Sequence, residues 1–254
     1  MSLGVHAQRK YFMRDHRKAS FINNVELGVG LYTPNMDNLN QYWSVLDENT
    51  AGNDVGSLDG GLKVDLGVFA HLYMDGYIGI FGGYYTDNTS ASGTSFVGTQ
   101  VEETLTYSAI PIGVKFVHEF HLGDPFLHRP RAAGLLLIHP YLGLGTTFWN
   151  MTQDYERLET GATAVSGSEG TMYQTITGIV GVKYTLAKFL DLGIEYNYEA
   201  GSYQQYFQAS PNIALGGDGI EDVNVNGHTI SVKLSYLINS RVEWRYVQKV
   251  KRFR

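Results

Sequence analysis

Eight charged residues fall where they could act together: Glu26, Lys63, Asp65, Lys115, Lys183, Asp191, Glu195 and Lys233. Each lies in a segment where apolar and polar residues alternate, and each sits on the polar side. If those sides face the inside of a closed barrel, four acids meet four bases with little room for water. Buried charges must then pair, because an uncompensated one costs several kcal/mol. The expected role is a charge network that fills and stiffens a lumen. The competing role is a narrow polar path for ions or small solutes.

Other chemistry is weaker. His118, His121, His128 and His139 cluster in sequence, but the string at 118–121 is HEFH rather than HExxH, and there is no Cys. Turn and strand-end histidines are expected there, not a metal site. Asp47, Glu48, Asp54 and Asp59, with Asp218, Glu221 and Asp222, form acidic segments. Their spacing is not that of an EF-hand loop, so weak divalent-cation binding at a solvated surface is the most they imply. A nucleophile would need a base beside it, yet His228 and Ser231 fall on opposite faces of one segment. No catalytic residue, metal site or cofactor is expected, and the chain is read as a non-enzyme.

The elements that position these residues are eight predicted strands: 21–33, 62–73, 77–86, 104–120, 138–150, 171–186, 189–199 and 227–238. Val25, Leu27, Val29 and Leu31 share one face of the first; Glu26, Gly28, Gly30 and Tyr32 share the other. Such alternation gives each strand one apolar and one polar face. Asp75-Gly76 marks a tight turn, and the alternation is expected to change phase at Pro111. The polar face carries many glycines, among them Gly28, Gly67, Gly79, Gly113, Gly181 and Gly193. The interior of an eight-stranded barrel is just wide enough for side chains to fill. Glycines there make room for Phe69, Tyr85, Trp149 and the lysines, so the polar face is placed inside and the aliphatic face against lipid. A soluble ligand-binding barrel would invert this. Aromatic residues near strand ends (Tyr73, Tyr77, Tyr84, Tyr85, Phe116, Phe120, Phe148, Trp149, Tyr184, Phe189, Tyr196 and Tyr198) suit the two membrane interfaces.

Charge is sorted by connection. Residues 34–60, 86–103, 150–171 and 199–227 carry −5, −3, −3 and −4, whereas residues 1–19 and 239–254 carry +4 and +5. In an up-and-down barrel with an even strand count, alternate connections lie at opposite ends. One end is therefore acidic and the other basic. The longest apolar run, at 132–138, is far below the roughly 20 residues of a membrane helix. Residues 5–7 fit those preceding a signal-peptidase cut, and a cloning remnant fits equally well.

SAIPIGVKF (108–116), HPYLGLGTTFW (139–149) and GIVGVKYTLAKFLDLGIEYNY (178–198) resemble strands of small outer-membrane β-barrels. The group is that of the OmpA transmembrane domain, OmpW and the opacity proteins. The resemblance covers about residues 20–238, and residues 121–137 depart from it by being long for a periplasmic turn. It implies an all-β, eight-stranded antiparallel up-and-down transmembrane barrel in a bacterial outer membrane, with both termini on the periplasmic side. A short helix is expected in the first outer loop, since Met36, Leu39, Trp43 and Leu46 fall at helical spacing. The expected organisation is a basic segment 1–19, a barrel 20–238 and a basic amphipathic tail 239–254. Outer-membrane lipid and lipopolysaccharide are the expected partners, nucleic acid is not, and the barrel is read as monomeric. Function is read as structural, adhesive or surface-interacting. The alternatives are an OmpW-like channel and, more remotely, a lipid-modifying enzyme.

Overall fold

The structure, a computed structural model, describes residues 22–37, 39–40, 51–73, 75–94, 98–120, 137–206 and 220–238. Eleven strands run in the order β1 (Ile22–Pro34), β2 (Ala51–Val55), β3 (Gly61–Tyr73), β4 (Gly76–Thr94), β5 (Gln100–Glu119), β6 (Ile138–Glu159), β7 (Val165–Ala187), β8 (Leu190–Ala200), β9 (Ser202–Tyr206), β10 (Ile220–Asn224) and β11 (Gly227–Leu237). Eight of them, β1, β3, β4, β5, β6, β7, β8 and β11, pair antiparallel with their neighbours in sequence order. The ring closes where β1 pairs with β11, Val29 opposite Val232.

The aliphatic face points outward. Ile80, Leu144 and Ile176 are each about two-thirds exposed (66%, 67% and 66%), and Leu27, Leu66, Ile112, Ile194 and Val232 are exposed beside them. Water would not tolerate so continuous an apolar band, whereas bilayer hydrocarbon requires one. A closed ring also leaves no unpaired sheet edge in lipid. The chain is a transmembrane barrel. The strand ends of β1 and β11 lie at the end that also holds the two short turns. These turns fall at Tyr73–Gly76 and Ala187–Leu190, each beside a register shift. Gly76 opens β4 opposite Tyr73, so Asp75-Gly76 is not the central pair of the first turn.

Three expectations about the strands need correction. The strands expected at 77–86, 104–120, 138–150 and 171–186 are the membrane-spanning parts of longer ones. β4 to β7 continue past the bilayer as an outer sheet, in which β2 joins the edge of β4. Much of 86–103 and 150–171, read as loop, is therefore strand. The Thr, Ser, Asn and Gly residues there resemble loop composition, and cross-strand pairing overrides that local preference. Secondly, β5 keeps one phase throughout. Val101, Glu103, Leu105, Tyr107, Ala109, Pro111, Gly113 and Lys115 all face inward, and the register with β4 is the same on both sides of Pro111. The apparent phase change arises because inward residues are apolar at the outer end and polar below. Thirdly, Tyr77, Tyr85 and Trp149 are buried in the lumen and take no part in an interfacial girdle, while Tyr84, Phe116, Phe148, Tyr184 and Tyr198 do face outward.

After β1, the Asn40 N–H donates to the Met36 carbonyl at 2.8 Å, closing one helical turn. Trp43 and Leu46, on which the expected helix depends, lie outside the described residues, as do segments 1–19 and 239–254.

Candidate functional site

The inward faces converge on a lumen with a charged middle between two apolar layers. Strand alternation puts the eight expected charges there, and all eight are buried. Lys233, on β11, is fully buried and bridges two acids. Its Nζ donates to both Asp65 carboxylate oxygens at 2.7 and 2.8 Å and lies 3.3 Å from Glu195 Oε1. Lys115 reaches the same Glu195 oxygen at 3.0 Å, while Tyr141 Oη and Asn197 Nδ2 also donate to that carboxylate. Lys183 lies 2.9 Å from Glu26, to which Ser235 Oγ donates. Asp191 is buried on β8 at the same inner end.

Two further acids belong to this network and were not singled out from sequence. Glu199, counted with an outer connection, points inward from β8 and lies 2.6 Å from Lys63 Nζ. Glu119 lies 3.9 Å from Lys183. The signal for Glu199 was its parity: it shares the face of Asp191 and Glu195, two and one repeats of four residues earlier on one strand.

Rings are the other partners that alternation does not specify. Lys115 Nζ sits 4.6 Å from the Phe81 ring centre, Lys183 5.1 Å from Tyr141, and Lys63 4.7 Å from Trp149. Inward glycines create this space. A Cβ on Gly28 would lie 2.4 Å from Lys233 Nζ, and one on Gly181 2.3 Å from the Tyr141 ring. The expectation that lumen glycines clear room for rings and lysines holds at these positions.

Above the charges lies an aromatic layer. Tyr32, Tyr85, Tyr107 and Trp149 are fully buried. Tyr32 stacks on Trp149, Trp149 on Tyr173 and Tyr173 on Tyr203, at 5.2, 5.9 and 5.2 Å between centres. Met36, Leu39, Leu58 and Val223 pack on the same cluster from the segments outside the barrel. Trp149 Nε1 donates to Thr175 Oγ1, which donates to Glu199 Oε2, both at 3.1 Å, so the two layers are joined. At the inner end Phe69, Tyr77, Val117, Tyr141 and Ile179 form a smaller apolar group. A cavity of about 10 Å³ beside Glu26, Glu119 and Lys183 has room for about one water.

The remaining expected residues do not converge. His118 packs against Phe120, while His139 faces inward against Thr185 Oγ1 at 3.0 Å; His121 and His128 lie outside the described residues. Among the described residues no group of three acids, His or Cys could hold a metal. Asp59 and Asp222 are exposed; Asp54 and Glu221 sit on β2 and β10, and Asp47, Glu48 and Asp218 lie outside the described residues. Ser231 is buried and His228 exposed against Tyr196 and Tyr198, so no Ser–His pair forms.

No family model matches the sequence, and no curated protein matches it. Solved structures similar in fold include outer membrane protein OprG from Pseudomonas aeruginosa, at 12% identity over 86% of this chain and 97% of that one, TM-score 0.47. Neisserial surface protein A is 13% identical over 85% and 97%, TM-score 0.44. The outer membrane protease OmpT from Escherichia coli is 8% identical over 87% and 99%, TM-score 0.42.

Proposed function

We propose that this chain is a non-enzymatic barrel of a bacterial outer membrane, whose lumen does not conduct and whose work is done by the sheet that stands beyond the bilayer. One observation carries the reading: Lys233, with no exposed surface, is held by Asp65 and Glu195 beneath stacked rings that are themselves buried. A solute path would need hydrated charges along the lumen. Here the charges are paired with one another, and among the described residues the stacked rings above them offer little polar surface to replace a solute's water. The basic residues of 1–19 and 239–254 fit the periplasmic side and the acidic segments the outer side. Lipopolysaccharide and lipid are the proposed surroundings of the aliphatic band.

Planar-bilayer recording of the refolded protein tests this. Absence of conductance steps is expected, and Trp149→Ala should introduce small ones. Small, reproducible steps from the unaltered barrel would instead favour the narrow-channel reading, and large, stable ones would overturn a closed lumen outright.

A further inference from the structure

Among the described residues, one edge of β7 outside the membrane has no hydrogen-bonded neighbour. β6 pairs with β7 from Ile138 opposite Tyr184 to Arg157 opposite Val165. β8 pairs only as far as Ala200 opposite Ile176. Above that point the chain turns into β9, which pairs with β10 instead. From Val165 to Thr175, β7 therefore has no hydrogen-bonded strand on its second side among the described residues, although β9 stands beside its lower part, where Tyr203 stacks on Tyr173. Natural edge strands are usually blunted by Lys, Pro or a bulge. This edge, VSGSEGTMYQT, has no Lys or Pro, and its register with β6 has no shift. Residues 165–170 are exposed on both faces, and four of those six are Ser or Gly, which offer little steric bar to a new strand.

A cavity of about 140 Å³ opens where β9 peels away from this edge. Its lining includes Gln153, Glu169, Thr171, Tyr203 and Gln205. The floor is preorganised: Gln153 and Gln205 donate to one another at 3.0 Å, and Gln153 donates to Tyr203 Oη at 3.0 Å. Glu169 is exposed and makes no hydrogen bond or ion pair with any described residue.

We infer that this edge and cavity form a docking site for an extended segment of another protein, added antiparallel to β7, with a Lys or Arg side chain seated in the cavity against Glu169. Strand addition supplies affinity through main-chain hydrogen bonds, and a pocket for alternate side chains supplies specificity. Charge selects the occupant. The connections at this end are acidic, so a second copy would bring like charge to the edge, while a basic strand brings the opposite sign. The ends of β1 and β11 nearest in sequence to this chain's own basic segments, at Ile22 and Leu237, lie at the other end of the barrel.

The inference rests on the outer sheet being the working surface, but its test does not depend on orientation or conductance. The barrel in nanodiscs, open to solvent on both sides, is titrated with a fluorescent nonapeptide of alternating Val and Lys. Three comparisons follow: the Val/Glu counterpart, the Val/Lys peptide N-methylated at alternate residues, and the Glu169→Lys variant. Saturable binding of the Val/Lys peptide is expected, with at least a tenfold loss in each comparison. Glu169 is exposed, so its reversal should leave the barrel folded, which heat-dependent gel mobility checks. Equal binding of the N-methylated peptide would overturn strand addition and leave only charge attraction. Failure to bind at millimolar peptide, or dimerisation of the barrel that Glu169→Lys strengthens, would overturn the basic occupant.

Discussion

The charged middle of the lumen and the aromatic layer above it are built from the same inward faces, yet they solve burial differently. In the middle, lysines are compensated by carboxylates at 2.6–3.3 Å, and Glu26, Glu195 and Glu199 gather further donors. In the aromatic layer, ring-on-ring contact replaces compensation, and only phenol and indole tips need partners, as Tyr107 finds in Tyr173 at 3.2 Å. The difference teaches where tolerance should lie. A layer of paired charges fails when one member is removed, because the remainder is left charged and dry. A layer of rings fails in proportion to the volume lost.

The largest expected effect breaks the charged layer. Lys233→Met should cost about 3–5 kcal/mol, because Asp65 loses its ligand and Glu195 one of two. Urea unfolding from phosphatidylcholine vesicles reads this. Adding Asp65→Asn should restore part of the loss, since the orphaned charge is gone. If the double variant is no more stable than the single, the pair contributes as packing and the contrast between the layers collapses.

The aromatic layer is expected to yield less. Trp149→Ala should cost about 3 kcal/mol, the low end for deletion of a large buried ring, because water from the outer mouth refills part of the void. Trp149→Phe should recover all but about 1 kcal/mol, the indole hydrogen bond to Thr175. A loss on Trp149→Ala as large as that of Lys233→Met would mean that Lys63 depends on the ring and not on Glu199.

How much of this was legible in the sequence follows from the same contrast. Alternation alone placed all eight expected charges inside, since side-chain period fixes the face once the barrel is closed. The charged layer was therefore readable, apart from Glu199 and Glu119, which sit where strand and connection could not be told apart. The aromatic layer was misread in part. Parity places Tyr85 and Trp149 inside, where glycines clear room for them, but their position near strand ends in sequence also suggests an interface; the extension of β4 and β6 beyond the bilayer removes those apparent ends. That extension depends on pairing between residues far apart in the chain, and Thr, Ser and Gly give it no local signature. The edge of β7 that has no paired strand among the described residues is invisible in sequence for the same reason, because long-range pairing alone defines an edge.

The smallest effect sharpens the comparison at the layers' outer boundary. Asp87 lies just above the membrane-spanning part of β4 and accepts from the Gly60 and Asn88 N–H groups, with Tyr85 Oη at a long 3.5 Å. Among the described residues, no lysine compensates it in the way Lys233 compensates Asp65. Burial is the main cause that raises its carboxyl above the ordinary value of 3.8, only partly offset by the backbone donors, and Asp59 adds to the rise. The sign follows. A folded-state value above the unfolded one means that the native barrel holds the proton more tightly. Stability should therefore increase as pH falls through the folded value, with the gain complete near the unfolded carboxyl value of about 3.9. Asp87→Asn removes this group's titration. The difference in urea midpoint between the unaltered barrel and the variant should thus move in favour of the unaltered barrel between pH 7 and pH 4. A difference that stays flat would mean that the two backbone donors and Tyr85 compensate Asp87 as fully as a lysine does in the lumen, and that hydrogen bonds alone can hold a carboxylate at the rim of the aromatic layer.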